Sequence, residues 1–99
     1  LTTPVLIGIQ VDLAHLDEAT RQLAAIPEVY SVKVVTGAYD VIVEAILPSR
    51  EGLLPFLTAR IAAIPGIRRT DTCHVLEIVK WACDSPLLDG FVTVRPPET

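Results

Sequence analysis

The stretch Tyr30–Ile46, YSVKVVTGAYDVIVEAI, decides the fold of this chain. It holds two β-rich runs on either side of five residues, Thr36-Gly37-Ala38-Tyr39-Asp40, which we call the turn. Glycine adopts positive φ angles that other residues resist, and a short glycine-containing loop between two β-rich runs is typical of a hairpin. We therefore predict antiparallel strands over residues 29–35 and 40–47, folded back on one another at Gly37.

Each strand of this hairpin belongs to a larger repeated unit. The segment AAIPEV at residues 24–29 recurs as AAIPGI at residues 62–67, and each copy ends a predicted helix and opens a predicted strand. Apolar residues at three- and four-residue spacing predict the two helices over residues 16–26 and 50–64. The predicted helix-facing residues are Leu16, Ala19, Leu23 and Ile26 in the first helix and Leu53, Leu57, Ile61 and Ile64 in the second. The first and fourth strands are predicted over residues 5–11 and 67–81.

Two βαβ units in tandem predict an α+β, ferredoxin-like βαββαβ fold. Right-handed crossovers place both helices on one face of a four-stranded antiparallel sheet. Strand alternation assigns Val5, Ile7, Ile9, Val41, Val43 and Ala45 to the helix side, and Leu6, Gly8, Gln10, Ile42, Glu44 and Ile46 to the opposite side. For the second and fourth strands, the sequence leaves open which residues join which side.

The side without helices is too apolar for a surface that is fully in contact with water. Apolar patches that span several strands mark association surfaces, and most oligomers are symmetric. We therefore expect two copies of the chain to pair through their sheets.

Composition excludes several classes of protein. The chain has 99 residues, 51% of them apolar, and a net charge of −4, with its eight Lys and Arg residues scattered. We expect one ferredoxin-like domain at residues 1–82 and a tail at 83–99 with a short strand near 91–95. No basic patch for phosphates and no apolar run long enough for a bilayer is present, so we predict a cytoplasmic domain that contacts neither DNA nor a membrane.

The residue types that commonly carry chemistry are few. The histidines are His15 and His74, and the cysteines Cys73 and Cys83 are predicted to be free, buried thiols. Neither histidine has a nearby Ser, Cys and acid in a nucleophile arrangement, and no zinc-ligand spacing is present. We therefore predict no catalytic residues, no metal and no cofactor.

Two segments together resemble a known family. VVTGAYDVIV at residues 34–43, and IPGI at residues 64–67 followed by Thr70, Thr72 and Val79-Lys80, are similar to the effector-binding domain of Lrp/AsnC transcription regulators. The resemblance runs from about Pro4 to Trp81. It implies a ferredoxin-like domain that forms dimers through its sheets, often assembles into octamers, and binds small effectors such as amino acids between subunits near the hairpin turn.

The resemblance also implies where an effector binds in this chain. Backbone amides around Gly37 and Ala38 could bind a carboxylate, and Asp40 could face an ammonium group. The full set of predicted ligand-binding residues is Thr36, Gly37, Ala38, Tyr39, Asp40, Thr70 and Thr72. The family turn usually carries an acidic residue directly after the glycine, where this chain has Ala38.

Alternatives to each role stay open. Asp40 could instead cap the local backbone, Tyr39 could pack at a subunit contact, and the two threonines suit any strand. The whole domain could be an oligomerisation module without a ligand, or a small dimeric α+β-barrel enzyme. In the family, a helix-turn-helix DNA-binding domain normally comes first. Such a domain is absent here, so either it was removed or the chain is a stand-alone sensor. The chain begins at Leu1 and contains no methionine, which indicates a piece cut from a longer protein or a processed one.

Overall fold

The computed structural model describes residues 2–80, which form a four-stranded antiparallel sheet covered on one side by helices. The strands are β1 (Thr3–Val11), β2 (Val29–Val34), β3 (Val41–Leu47) and β4 (Ile67–His74). Their order in the sheet is β2-β3-β1-β4. A 3-10 turn at Leu13–His15 leads into helix α1 (Leu16–Ala24). The predicted ferredoxin-like βαββαβ architecture is confirmed.

The core lies between the two central strands and the helices. Val5, Ile7 and Ile9 of β1 face the same side as Val41, Val43 and Ala45 of β3, and each is at most 1% exposed. Ala19 and Leu23 of α1 close this layer. The six strand residues predicted to face the helices are therefore confirmed in that position. No helix within residues 2–80 is long and apolar enough to cross a membrane.

The second helical segment, residues 50–61, differs from the regular helix that its apolar spacing predicts. A 3-10 turn at Arg50–Gly52 leads into one α-helical turn at Leu53–Pro55, so Pro55 falls in the first turn, where a missing N–H costs little. Residues Phe56–Ile61 are π-helical, and the Ala62 N–H donates to the Leu57 carbonyl at 2.8 Å. This wider winding places residues five apart on one face, so Phe56 is buried with Ile61.

One further sequence prediction is wrong in detail. β4 ends at His74 and not at Trp81, and no strand continues through residues 75–80. In β2 the pairing shifts between Val29 and Ser31, which adds one residue opposite Glu44. Such a bulge turns a side chain to a new direction. The predicted tail and its short strand at 91–95 lie outside the described residues.

Candidate functional site

The side of the sheet without helices is defined by the register of all four strands, and we call it the outer face. On β1, Leu6 pairs with Glu44 of β3 and with Cys73 of β4. Gly8 pairs with Ile42 and Asp71 of the same two strands, and Gln10 pairs with Arg69 of β4. β2 adds Ser31 and Lys33, which pair with Glu44 and Ile42. The register that sequence alone left open is thereby assigned.

The outer face is a mixture of apolar surface and paired charges. Ile46 and Tyr30 are 45% and 49% exposed. The Lys33 Nζ lies 3.4 Å from Glu44 Oε1, and the Arg69 Nε lies 3.4 Å from Asp71 Oδ1. A groove of about 390 Å³ crosses one end of this face, and its lining includes Pro4, Leu6, Tyr30, Glu44, Ile78 and Val79. Because each of these two ion pairs already brings opposite charges together, covering the pairs would not leave either charge isolated.

The turn is fixed against β1 at its Asp40 end. The Asp40 N–H donates to the Ile9 carbonyl at 2.9 Å, and the Val35 N–H donates to the Asp40 carbonyl at 3.0 Å. The Asp40 carboxylate accepts a hydrogen bond from the Val11 N–H at 2.9 Å through Oδ2. This hydrogen bond joins the turn to β1, 29 residues away in sequence, and so differs from the local backbone cap that was considered as the alternative role of Asp40. Its Oδ1 accepts no hydrogen bond from residues 2–80.

The turn presents four consecutive backbone N–H groups. Within residues 2–80, the N–H groups of Thr36, Gly37, Ala38 and Tyr39 donate no hydrogen bond to another residue. Gly37 has a φ of 117°, in the region that favours glycine, and the side chains of Thr36 and Ala38 are exposed. Successive unpaired N–H groups at a turn of this kind form a concave site for an anionic group.

Tyr39 extends from the turn across the outer face. Its hydroxyl donates to Asp71 Oδ2 at 2.9 Å, and its ring lies directly over Gly8. A Cβ atom at Gly8 would be 2.7 Å from Tyr39 Cε1, so only glycine leaves room for the ring. The hydrogen bond to Asp71, followed by the negative charge of that carboxylate, raises the pKa of Tyr39.

The structure separates the predicted site residues into two groups. The turn brings Thr36, Gly37, Ala38, Tyr39 and Asp40 together. Thr70 and Thr72 pair with Ile9 and Ile7, so they share the helix side of the sheet and not the outer face reached by Tyr39.

Sequence analysis missed two residues of this arrangement, Gly8 and Asp71. In the sequence, alternation along each strand was the only indication of the side on which these residues lie. The register that pairs Gly8 with Asp71 is a property of the folded sheet, so the sequence could not show that they meet.

The residues considered for chemistry are dispersed. Cys73 is exposed on β4, contrary to the predicted buried thiol, because β4 is an edge strand and no helix covers its outer side. His74 pairs with Val5 at the end of β4, and His15 lies at the start of α1, beside Gly66. No cluster of three His, Cys, Asp or Glu residues suitable for a metal occurs in the described part of the chain.

Comparison with known proteins identifies relatives of the whole domain. The family model described as the Lrp/AsnC ligand binding domain matches residues 4–82. An uncharacterised helix-turn-helix-type transcriptional regulator from Pyrococcus abyssi is 32% identical over 75 residues, which is 76% of this chain and 48% of that protein. One from Pyrococcus horikoshii is 39% identical over 75 residues, again 76% of this chain and 50% of its own length. The chain thus spans about half the length of these relatives.

Solved structures agree with this assignment. AsnC of Escherichia coli superimposes with a TM-score of 0.76 at 25% identity, covering 81% of this chain and 54% of AsnC. A transcriptional regulator from Neisseria meningitidis, solved as a complex with L-Met, has the same fold, with a TM-score of 0.79 at 17% identity over 91% of this chain and 59% of its own. The match of the family model over most of the chain, with two relatives above 30% identity, shows that this chain belongs to the Lrp/AsnC ligand-binding domain family, whose matched relatives are transcriptional regulators.

Proposed function

We propose that this domain senses a small carboxylate-bearing molecule, an amino acid in the first instance, for a cytoplasmic transcription regulator. The observation that carries the proposal is the row of four N–H donors at residues 36–39, which have no hydrogen-bond partner in the part of the chain that the structure describes. A carboxylate bound there would accept several of these hydrogen bonds at once, and hydrogen bonds to charged groups are stronger than neutral ones. The L-Met complex of the regulator with the same fold supports an amino acid as the first ligand class to test.

Asp40 supplies the second part of this site. Its Oδ2 atom holds the Val11 N–H, which fixes the carboxylate at the edge of the turn, while Oδ1 is free to face an ammonium group. A positioned carboxylate needs no reorganisation when the ligand binds, which lowers the entropic cost of binding.

Thr70 and Thr72 remain predicted ligand contacts. Because they lie on the other side of the sheet from Tyr39, their hydroxyls would reach a ligand at the turn from a neighbouring subunit.

Self-association is the second part of the proposed function. The outer face exposes Tyr30 and Ile46, and residues 75–80 beside it expose Leu76, Ile78 and Val79. A second copy of the chain on this face would remove that apolar surface from water. In a symmetric dimer, the outer faces of the two copies would contact each other. We infer a homodimer as the basic unit, with octamers as the larger assembly that the family resemblance implies.

Thermal unfolding in the presence of each of the twenty amino acids tests the sensing proposal. A ligand at a hundredfold excess over its Kd stabilises the folded state by about 2.7 kcal/mol, which raises Tm by about 10–20 °C for a domain of this size. The variant to compare with the wild type is Gly37→Ala. The added Cβ would meet no atom within 4 Å, so it causes no clash, but alanine is strained at the φ of 117° that Gly37 adopts. We expect the variant to fold and to lose the ligand-dependent rise.

The other outcomes discriminate between functions. A stable oligomer that no amino acid stabilises would favour the oligomerisation module without a ligand. Stabilisation that persists unchanged in Gly37→Ala would place the binding site elsewhere.

A further inference from the structure

We propose that two copies of the chain pair edge to edge along β4, in a register that places Arg69 of each copy opposite Asp71 of the other. This contact goes beyond the proposed function, because it needs neither a ligand nor the outer face. It would join two four-stranded sheets into one continuous antiparallel sheet.

The β4 edge, the side of β4 that lies away from β1, is the more regular of the two edges of the sheet. Within residues 2–80, β4 pairs with β1 alone, and its pairing is regular from Arg69 to His74. The opposite edge strand, β2, has six residues against eight in β4, and its register shifts between Val29 and Ser31. A regular edge strand presents unpaired backbone groups that can pair with another strand.

The backbone groups that point to the β4 edge can be assigned from one hydrogen bond. The Val75 N–H donates to the Pro4 carbonyl at 3.0 Å, one position beyond the last pair of β1 with β4. Hydrogen-bonded and non-hydrogen-bonded pairs alternate in an antiparallel ladder, so the odd-numbered residues from 69 to 73 bond to β1. The even-numbered residues point their N–H and carbonyl groups away from β1, and these residues are Thr70, Thr72 and His74.

Charge selects one register among those that the backbone allows. Two copies can pair symmetrically about residue 70, 71 or 72, because each choice places even-numbered residues opposite even-numbered residues. Symmetry about Asp71 would bring two carboxylates opposite one another, which destabilises the pair. Symmetry about Thr72 would place Asp71 opposite Cys73 and leave Arg69 beyond the end of the other copy's β4. Symmetry about Thr70 places Arg69 opposite Asp71 twice, in non-hydrogen-bonded pairs, where side chains approach most closely.

The side chains suit this register. Arg69 is exposed and Asp71 is half-buried on the outer face, and the Arg69 Nε lies 3.4 Å from Asp71 Oδ1 of the same chain. In the pair, two arginines and two aspartates would alternate around the two-fold axis, so each carboxylate would lie between two guanidinium groups. At the axis, Thr70 would lie opposite Thr70, a combination that stabilises antiparallel strands.

Amide hydrogen exchange of the 99-residue chain, followed by ¹H–¹⁵N NMR at low and at millimolar protein concentration, tests the pairing. The N–H groups of Thr70 and Thr72 would donate to the other copy, so we expect their exchange to slow at least about tenfold at the higher concentration. The His74 N–H has no partner in this register and should exchange at the same rate. Slowed exchange of His74 would indicate symmetry about Thr72 and would overturn the proposed register.

The edge of β2 provides the internal control. The Val35 N–H donates to the Asp40 carbonyl at 3.0 Å, so the same alternation leaves the Val32 and Val34 N–H groups pointing away from β3. Pairing of β4 with β4 leaves these two groups in water at both concentrations. Slowed exchange at both edges would show that β4 pairs with β2 of the other copy, and would overturn the symmetric contact.

Exchanging the two charges tests the register itself. Asp71→Arg would bring arginines opposite one another in both pairs, so the concentration-dependent protection of Thr70 and Thr72 should be lost. Arg69→Asp added to the same chain restores opposite charges in exchanged positions, and protection should return. Both variants lose the hydrogen bond from Tyr39 to Asp71, so the difference between them reports the charges alone. A folded double variant without protection would overturn the register.

Ile46→Lys separates the β4 edge from the outer-face dimer. Ile46 lies on β3, which does not border β4, so protection of Thr70 and Thr72 should persist in this variant. Its loss would show that the signal depends on the outer face and would overturn a separate edge contact. Exchange at Thr70 and Thr72 that is independent of concentration in the wild type, whether fast or already slow, would also refute the pairing of two copies, and it would leave the proposed sensing function standing.

Discussion

Gly8 determines whether Tyr39 can lie on the sheet. Gly8→Ala would place a methyl group 2.7–2.8 Å from three atoms of the ring, so the ring must move and its hydrogen bond to Asp71 is lost or strained. We expect the free energy of unfolding to fall by about 1–2 kcal/mol, measured by urea denaturation.

Gly52→Ala is the matched control for this substitution. The atom nearest to a Cβ added at Gly52 is Ser49 Oγ, at 3.7 Å, and the Gly52 φ of −77° suits alanine. The control should change stability by less than about 1 kcal/mol in either direction. If Gly8→Ala were as neutral as Gly52→Ala, the ring would not lie against β1.

The raised pKa of Tyr39 gives a second test at the scale of the residue. The hydrogen bond to Asp71 favours the protonated phenol, so it stabilises the fold fully below the ordinary tyrosine pKa of 10.0 and stops doing so as pH rises through the raised pKa. Asp71→Asn removes the negative charge, and the pKa of Tyr39 should fall towards its ordinary value. The pKa can be measured from the Cζ resonance of each tyrosine.

Tyr30 serves as the internal control in the same titration. Its pKa is raised mainly by burial, followed by the negative charge of Glu44, and neither cause involves Asp71. The Tyr30 titration should therefore be the same in the wild type and in Asp71→Asn. An unchanged Tyr39 titration in the variant would contradict the contact.

At the scale of the elements, the π-helical winding of residues 56–61 gives a direct stability prediction. Phe56 is 4% exposed and packs in the core, while Leu54 is 69% exposed. Phe56→Ala should lower the free energy of unfolding by about 3–5 kcal/mol, because it leaves a cavity in the core. Leu54→Ala should be close to neutral. Equal effects of the two substitutions would show that the segment winds as the regular helix its apolar spacing predicts.

Most of the architecture was accessible from the sequence because it depends on local patterns. Period-two alternation through Val5, Ile7 and Ile9 identified the buried side of β1, and Gly37 identified the hairpin. The winding of the second helical segment was not accessible, because its apolar spacing fits a regular helix and the hydrogen bond from the Ala62 N–H to the Leu57 carbonyl is a property of the folded chain.

The candidate site was only partly predictable for a related reason. The turn is contiguous in sequence, so a motif could identify Gly37 through Asp40. Asp71 lies far away along the chain, and it meets Tyr39 only through the register of β4 against β1. The same register places Thr70 and Thr72 on the helix side of the sheet. Alternation within β4 shows that these two residues share a side, but it does not show which side faces the helices.

At the scale of the whole molecule, the outer face should control self-association. Ile46→Lys places a charge on the apolar surface, where covering it by a second copy would require desolvation of the ammonium group. We expect the dimer Kd to rise at least about tenfold, a change of about 1.4 kcal/mol, when measured by sedimentation equilibrium. The fold should persist, because Ile46 is 45% exposed in the single chain.

Leu13→Lys is the control for this substitution. Leu13 is also apolar and 71% exposed, but it lies in the 3-10 turn before α1 and not on the outer face. Association should be unaffected by this change. If Leu13→Lys and Ile46→Lys weakened the dimer equally, the outer face would not be the association surface.

We propose that the N–H donors at residues 36–39 of the turn bind the carboxylate of a small molecule. The most direct measurement is a ¹H–¹⁵N NMR titration of the 99-residue chain with each of the twenty amino acids, read at the amides of residues 36–39. We predict that at least one amino acid shifts these four amides in a saturable way, and that Gly37→Ala abolishes the shifts while its other resonances remain those of a folded domain. Saturable binding of an amino acid that leaves residues 36–39 unperturbed, or no binding by any of the twenty, would contradict the account.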